Sequence, residues 1–152
     1  MRRMLIFAGS LLVAAAAPAS AQQSDEQAVR AVVNRLFDGM RSRDTTMLRS
    51  TFAGEAQFYG IGREGGVRVT TPSAFITSIA AAPAGLLLDE VLHDVEIRVD
   101  GPLATVWTYY DFFAGGEFSH CGYDAMQLLK VRDEWKIVAL ADTRRTEGCR
   151  PR

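Results

Sequence analysis

Trp107, Tyr109 and Asp111 share one face if residues 103–113 form a strand, because alternate residues of a strand point the same way. A carboxyl set among aromatic rings loses solvent. Its charged form is disfavoured, and its pKa climbs toward the range where it can take a proton from a substrate. Asp111 is therefore one candidate base. The competing reading is a carboxyl near a strand end, exposed or hydrogen-bonded to the next turn. His93 is the second candidate. It alternates with Val91, Val95, Ile97 and Val99, so it is either a cavity acid–base group or a core histidine satisfied by a hydrogen bond.

A second set of residues could bind rather than react. Symmetry about a turn near residue 133 puts Asp124 opposite Thr143, one step from Asp142. Two carboxyls that close can share a proton; alternatively Asp142 pairs with an arginine or faces solvent. Arg144 either grips an anionic ligand through its two-pronged guanidinium or answers one of these aspartates. His120 is a cavity-rim residue or a solvated turn residue. Tyr59 and Tyr123 either point hydroxyls into a pocket or serve as amphipathic packing. The candidate pocket set is thus Tyr59, Trp107, Tyr109, His120, Asp124 and Arg144.

The chain has 152 residues, and its first 21 have the layout of a cleavable secretory leader. Arg2 and Arg3 precede an apolar run from Met4 to Ala17, and Ala19-Ser20-Ala21 is a small-residue cleavage site. The run is shorter than the roughly 20 apolar residues a bilayer span requires. We therefore expect an exported protein, periplasmic or secreted, starting at Gln22 and free of the membrane after cleavage. Residues 22–152 suffice for one domain with a sizeable core. Without Arg2 and Arg3, 15 basic residues face 18 acidic ones, a net charge of about −3. No strong positive surface exists to hold nucleic acid, and Arg144, Arg145, Arg150 and Arg152 read as a solvated tail.

Cys121 and Cys149 are the only cysteines. In an oxidising compartment an even pair reads as a bridge, with two free thiols as the alternative. The hairpin arithmetic puts Cys121 opposite residue 146 or so, and a tail bending at Gly148 would bring the α-carbons within the roughly 5–6 Å of a disulfide. With only His93 and His120 to complete a site, no metal is expected, and no cofactor is expected either.

These residues need elements to hold them. Residues 24–42 read as a helix: Ser24 and Gln27 fit a capping box, and Val29, Val32, Val33, Leu36, Phe37 and Met40 make one apolar face. Asp44 caps a short second helix. Residues 56–61 and 67–70 read as a hairpin around Gly62–Gly66, and Thr71-Pro72 starts a third helix with Phe75, Ile76 and Ile79 buried. Four long strands then form a meander, with turns at Asp100-Gly101, Gly115-Gly116 and Arg132-Asp133. The class is α+β, in the order α-α-β-β-α-β-β-β-β. A curved antiparallel sheet wraps the helices as a cone open at one end.

This element order, with Trp135-Lys136-Ile137 in the last strand, resembles the nuclear transport factor 2-like superfamily, which includes SnoaL-like cyclases, ketosteroid isomerases and scytalone dehydratase. Ser119-His120-Cys121-Gly122-Tyr123-Asp124, Thr143-Arg144 and Gly148-Cys149 look most like its branch named "putative lumazine-binding". The resemblance implies a cone-shaped cavity and leaves three functions open. The first is an exported binder of a small, partly apolar molecule. The second is a cavity isomerase, dehydratase or hydrolase using Asp111 or His93. The third is a structural or accessory homodimer.

Overall fold

The computed structural model describes residues 17–62 and 64–151. Most of the expected leader, together with Arg63 and Arg152, lies outside them. Helix α1 runs Ala17–Ser42, α2 Thr45–Thr51 and α3 Pro72–Ala80. The strands are β1 Phe52–Ile61, β2 Val67–Thr70, β3 Leu88–Asp100, β4 Leu103–Ala114, β5 Glu117–Val131 and β6 Glu134–Asp142. This is the expected α+β order.

The apolar face read in α1 is the buried one: Val29, Val32, Val33, Leu36, Phe37 and Met40 are all sealed. The helix starts seven residues before Ser24, so Ser24 and Gln27 sit inside it and do not cap it. The alanine-rich stretch ahead of Ser24 favours helix, and Pro18 falls in the first turn, where it costs no needed amide. Asp44 does cap α2, accepting from the amides of Thr46 and Met47 at 2.9 Å. Thr71 caps α3 through the amide of Ala74. Arg43, in a left-handed conformation between α1 and α2, donates to the carbonyls of Ala80, Ala82 and Pro83. A cation there suits the negative end of α3 and ties it to the other helices.

The six strands lie in the order β2-β1-β6-β5-β4-β3. The sheet is open and mixed rather than wholly antiparallel, because β1 runs parallel to β6. No hairpin joins those two strands, so no turn dictates their relative direction. Along one end of the inner face, Ala104, Val106, Met126, Leu128 and Ile137 pack the core against α1 and α2. Toward the other end of β4 and β5 the same face opens into a pocket.

Two irregularities decide which residues face inward. Asp94 adopts φ 51° at a bulge in β3, between the His93–Tyr109 and Glu96–Trp107 pairs. The extra residue switches parity. Val95, Ile97 and Val99 pack on the core, whereas Val91 and His93 fall on the outer face. In the last hairpin, Asp124 pairs with Asp142 itself rather than with Thr143. A register shift between Gln127 and Leu128 moves the partners off simple symmetry about the turn.

Candidate functional site

The pocket has a volume of about 410 Å³. Its helical wall is apolar: Leu36, Phe37 and Met40 come from α1, Phe75 and Ile79 from α3. The sheet wall carries the polar groups, Glu90 from β3, Tyr110 from β4, His120 and Asp124 from β5 and Asp142 from β6. Arg68 on β2 and Arg144 just past β6 are exposed residues that also line it, so they mark its mouth. Asp124, only 3% exposed, marks its floor.

The register explains why these side chains meet. Glu90, Phe112 and His120 form one row across β3, β4 and β5. Tyr110 and Gly122 form the next, and Thr108, Asp124 and Asp142 the one after. Gly122 is required where it stands. A β-carbon there would lie 1.8 Å from the carbonyl oxygen of Thr143 and 2.8 Å from the Tyr110 ring. The bare backbone lets Tyr110 cross β5 and donate its hydroxyl to the Thr143 carbonyl at 2.8 Å. Gly60 plays a similar part beneath Arg68 and Asp142, whose side-chain atoms would approach a β-carbon there to 2.9 and 3.0 Å.

The floor is acidic and poor in donors. Burial raises the Asp124 carboxyl to about 7, and the neighbouring Asp142 charge adds to the rise, against a hydrogen bond with Glu90 that lowers it. Glu90 is also raised well above the usual carboxylate range, by burial first and then by Asp124 and Asp142. Residue Glu90 keeps some surface, but its carboxyl sits in the pocket against Asp124. The pair therefore holds a proton at neutral pH. Oδ2 of Asp124 is buried and meets no N–H or hydroxyl donor among the described residues. Asp142 is raised by burial, but Arg68 and Arg144 pull it back. Burial and then Arg144 lower His120 to about 4, so its ring is neutral at pH 7. Burial also raises the Tyr110 hydroxyl, which stays a donor.

Of the residues expected to line a pocket, His120, Asp124 and Arg144 do so. Trp107, Tyr109 and Asp111 do share a face, but it is the outer one. Tyr109 and Asp111 are buried there, and Trp107 is half-exposed against Tyr123. Tyr59 alternates with the inward Phe58, so it too points outward, donating to Gln57 at 2.8 Å. His93 lies beside Asp111, with Nε2 3.2 Å from Oδ2. The tyrosine hydroxyl of Tyr109 donates to Oδ1 of Asp111 at 3.2 Å. These two candidate catalytic residues thus sit on the opposite side of the sheet from the pocket. Parity identified the shared face; only the helices decide which face encloses space.

The C-terminal tail covers that outer cluster. Cys121 and Cys149 form the disulfide, with α-carbons 5.9 Å apart. Cys121 and Arg145 exchange two backbone hydrogen bonds of 2.9 Å, one residue from the expected partner. Arg150 lies 4.3 Å over the Tyr109 ring, pairs with Asp94 and donates to the Tyr123 hydroxyl.

Glu90, Tyr110 and Arg68 are pocket residues the sequence did not single out. Glu90 stands between Leu88 and Leu92 at strand spacing, and a charge at an otherwise apolar inward position was the available signal. Tyr110 carried none beyond its alternation with Phe112. Among the described residues no group of three or more His, Cys, Asp or Glu side chains could hold a metal ion. No helix among them is long and apolar enough to cross a membrane.

Comparison with solved structures agrees with this architecture. An NTF2-like protein of unknown function from Silicibacter pomeroyi superposes with a TM-score of 0.65 at 24% identity, covering 81% of this chain and 98% of that one. One from Shewanella baltica gives 0.66 at 16%, covering 82% and 97%. A protein from Streptomyces avermitilis described as a "putative dehydratase" of the NTF2-like family gives 0.64 at 17%, covering 82% and 98%. At these identities the likeness shows the fold alone. No curated protein matches the chain significantly. The model of the family described as "Putative lumazine-binding" matches residues 24–141, and the chain belongs to that family, with the fold of NTF2-like proteins.

Proposed function

We propose that this is an exported protein that binds a small, partly apolar molecule in the inner pocket. The observation that carries the reading is the pocket itself. Its volume lies within the roughly 300–1,000 Å³ of small-molecule sites, and an apolar wall faces a few convergent polar groups. A purely structural domain would fill that space with side chains. The family description points the same way. Export is supported by the leader pattern of residues 1–21 and by the disulfide, a bond that persists in oxidising compartments. Native mass spectrometry of gently purified protein tests the binding. A bound small molecule should be present and should be lost in Ser78→Trp, which fills the pocket. A ligand retained by that variant would sink the reading.

A second reading has its own observation. A buried carboxyl raised to about 7, in a pocket that also holds a neutral imidazole, suits proton transfer. In that reading Asp124, not Asp111, takes a proton from the substrate. Metabolite extracts incubated with the protein should then lose one component, and Asp124→Asn should spare it. The half-exposed Trp107 on the outer face offers a surface for a second copy, which light scattering on Trp107→Glu would test.

A further inference from the structure

The polar groups of the pocket are arranged unequally from floor to mouth. At the floor, the Glu90–Asp124 pair is desolvated and no arginine offsets the charge of Asp124. Two carboxyls can bond to each other only while one is protonated. One proton between two carboxyls leaves acceptor capacity over, and Asp124, almost wholly buried, lines the pocket with no N–H or hydroxyl of the described residues on its Oδ2. A donor brought to the floor by a ligand would use that spare acceptor capacity. At the mouth the balance reverses. Arg68 and Arg144 both face Asp142 and leave donors to spare.

We propose that the pocket takes an amphoteric ligand: an apolar, ring-sized body with an amine or other N–H donor at one end and a carboxylate-like acceptor at the other. The donor end binds Asp124 and the acceptor end lies between Arg68 and Arg144. This inference rests on the binding function proposed above and adds the ligand's chemistry and orientation. A carboxylate facing a protonated amine in a site shielded from water gives a short, charge-assisted bond. The apolar wall from α1 and α3 supplies no ionisable group, so the body needs no charge of its own.

The orientation carries a pH signature. Glu90 on β3, Tyr110 on β4, His120 on β5, Asp142 on β6 and the two arginines are the charged or titratable groups facing Asp124 across the pocket. The Glu90–Asp124 pair is raised by burial, Asp124 to about 7, while His120, lowered to about 4, is already neutral. Binding of a protonated amine should therefore strengthen as pH rises from 5 to 8.

Four probes test the proposal on the oxidised full chain by titration calorimetry: benzylamine, benzyl alcohol, benzoate and 4-(aminomethyl)benzoate. At pH 8 benzylamine should bind about tenfold more tightly than benzyl alcohol, the scale of one charge-assisted hydrogen bond. 4-(Aminomethyl)benzoate should bind more tightly again. Asp124→Asn should erase the preference for the amine, and Arg144→Gln the advantage of the added carboxylate. Near-ultraviolet circular dichroism confirms that each variant is folded. If benzyl alcohol or benzoate matches benzylamine, the orientation is overturned while small-molecule binding stands. If none of the four binds, the binding function fails and takes the orientation with it.

Discussion

The two faces of the sheet each hold a buried carboxyl among aromatic rings, and they differ in what meets it. On the outer face Asp111 receives the Tyr109 hydroxyl and lies against His93, and the chain's own tail closes over the cluster. On the inner face Asp124 shares a proton with Glu90, and its buried Oδ2 meets no N–H or hydroxyl among the described residues. A carboxyl enclosed by a hydroxyl and the chain's own tail is part of the scaffold; one that lines an open pocket with acceptor capacity to spare is poised for something outside it. Residue type alone does not separate these cases.

The comparison can be broken first at the inner face. Gly122→Ala would drive a β-carbon into the Thr143 carbonyl and the Tyr110 ring, so β5 must shift. We expect a loss of about 4 kcal/mol, at the high end for overpacking, because the nearest atoms are backbone. Urea denaturation measures it, and a loss below about 1 kcal/mol would mean that the close approach is not needed. The outer face responds next. Replacing Cys121 and Cys149 together with alanine should cost about 3 kcal/mol, the scale of removing a constraint over 28 residues. Tyr109 should then exchange and fluoresce as a more exposed ring, while the pocket keeps its probe affinities.

The smallest effect is the most discriminating. Asp124 binds its proton more tightly folded, at about 7, than as an ordinary aspartate at 3.8. Its contribution to stability is therefore complete below about pH 4 and is lost as pH rises through about 7. His120, lowered from 6.5 to about 4, works in the opposite sense: its contribution is present above 6.5 and is lost as pH falls toward 4. Asp124→Asn should flatten the decline toward neutral pH and gain on the order of 1–2 kcal/mol at pH 8. Asp111→Asn should instead lose about 1 kcal/mol, since an amide cannot pair with His93 as a carboxylate does. Denaturation at pH 4 and pH 8 checks both. Equal responses from the two aspartates would erase the distinction between the faces.

Much of the frame was legible in the chain. The spacing of Val29 to Met40 gave the buried face of α1, and Thr71-Pro72 and Asp44 marked helix starts. Turn residues at Gly101 and Gly115 set the meander, and hairpin arithmetic came within one residue of both the Asp124–Asp142 and the Cys121–Arg145 pairs. The bulge at Asp94 was not legible. It turns on a single positive φ, and it reassigned His93 from an apolar inner face to the outer one.

The sequence by itself determined periodicity: which residues share a face, where chains turn, and that two cysteines fall near each other. These follow from local backbone geometry, which repeats every 2 or 3.6 residues. Only the tertiary structure decided which face of β4 the helices cover, and hence that Tyr110 and Phe112 line the pocket while Trp107, Tyr109 and Asp111 do not. It also decided that Glu90 reaches Asp124 from two strands away. Desolvation depends on everything packed around a group, and a carboxyl becomes a reactive or binding one only when the rest of the chain takes its water away.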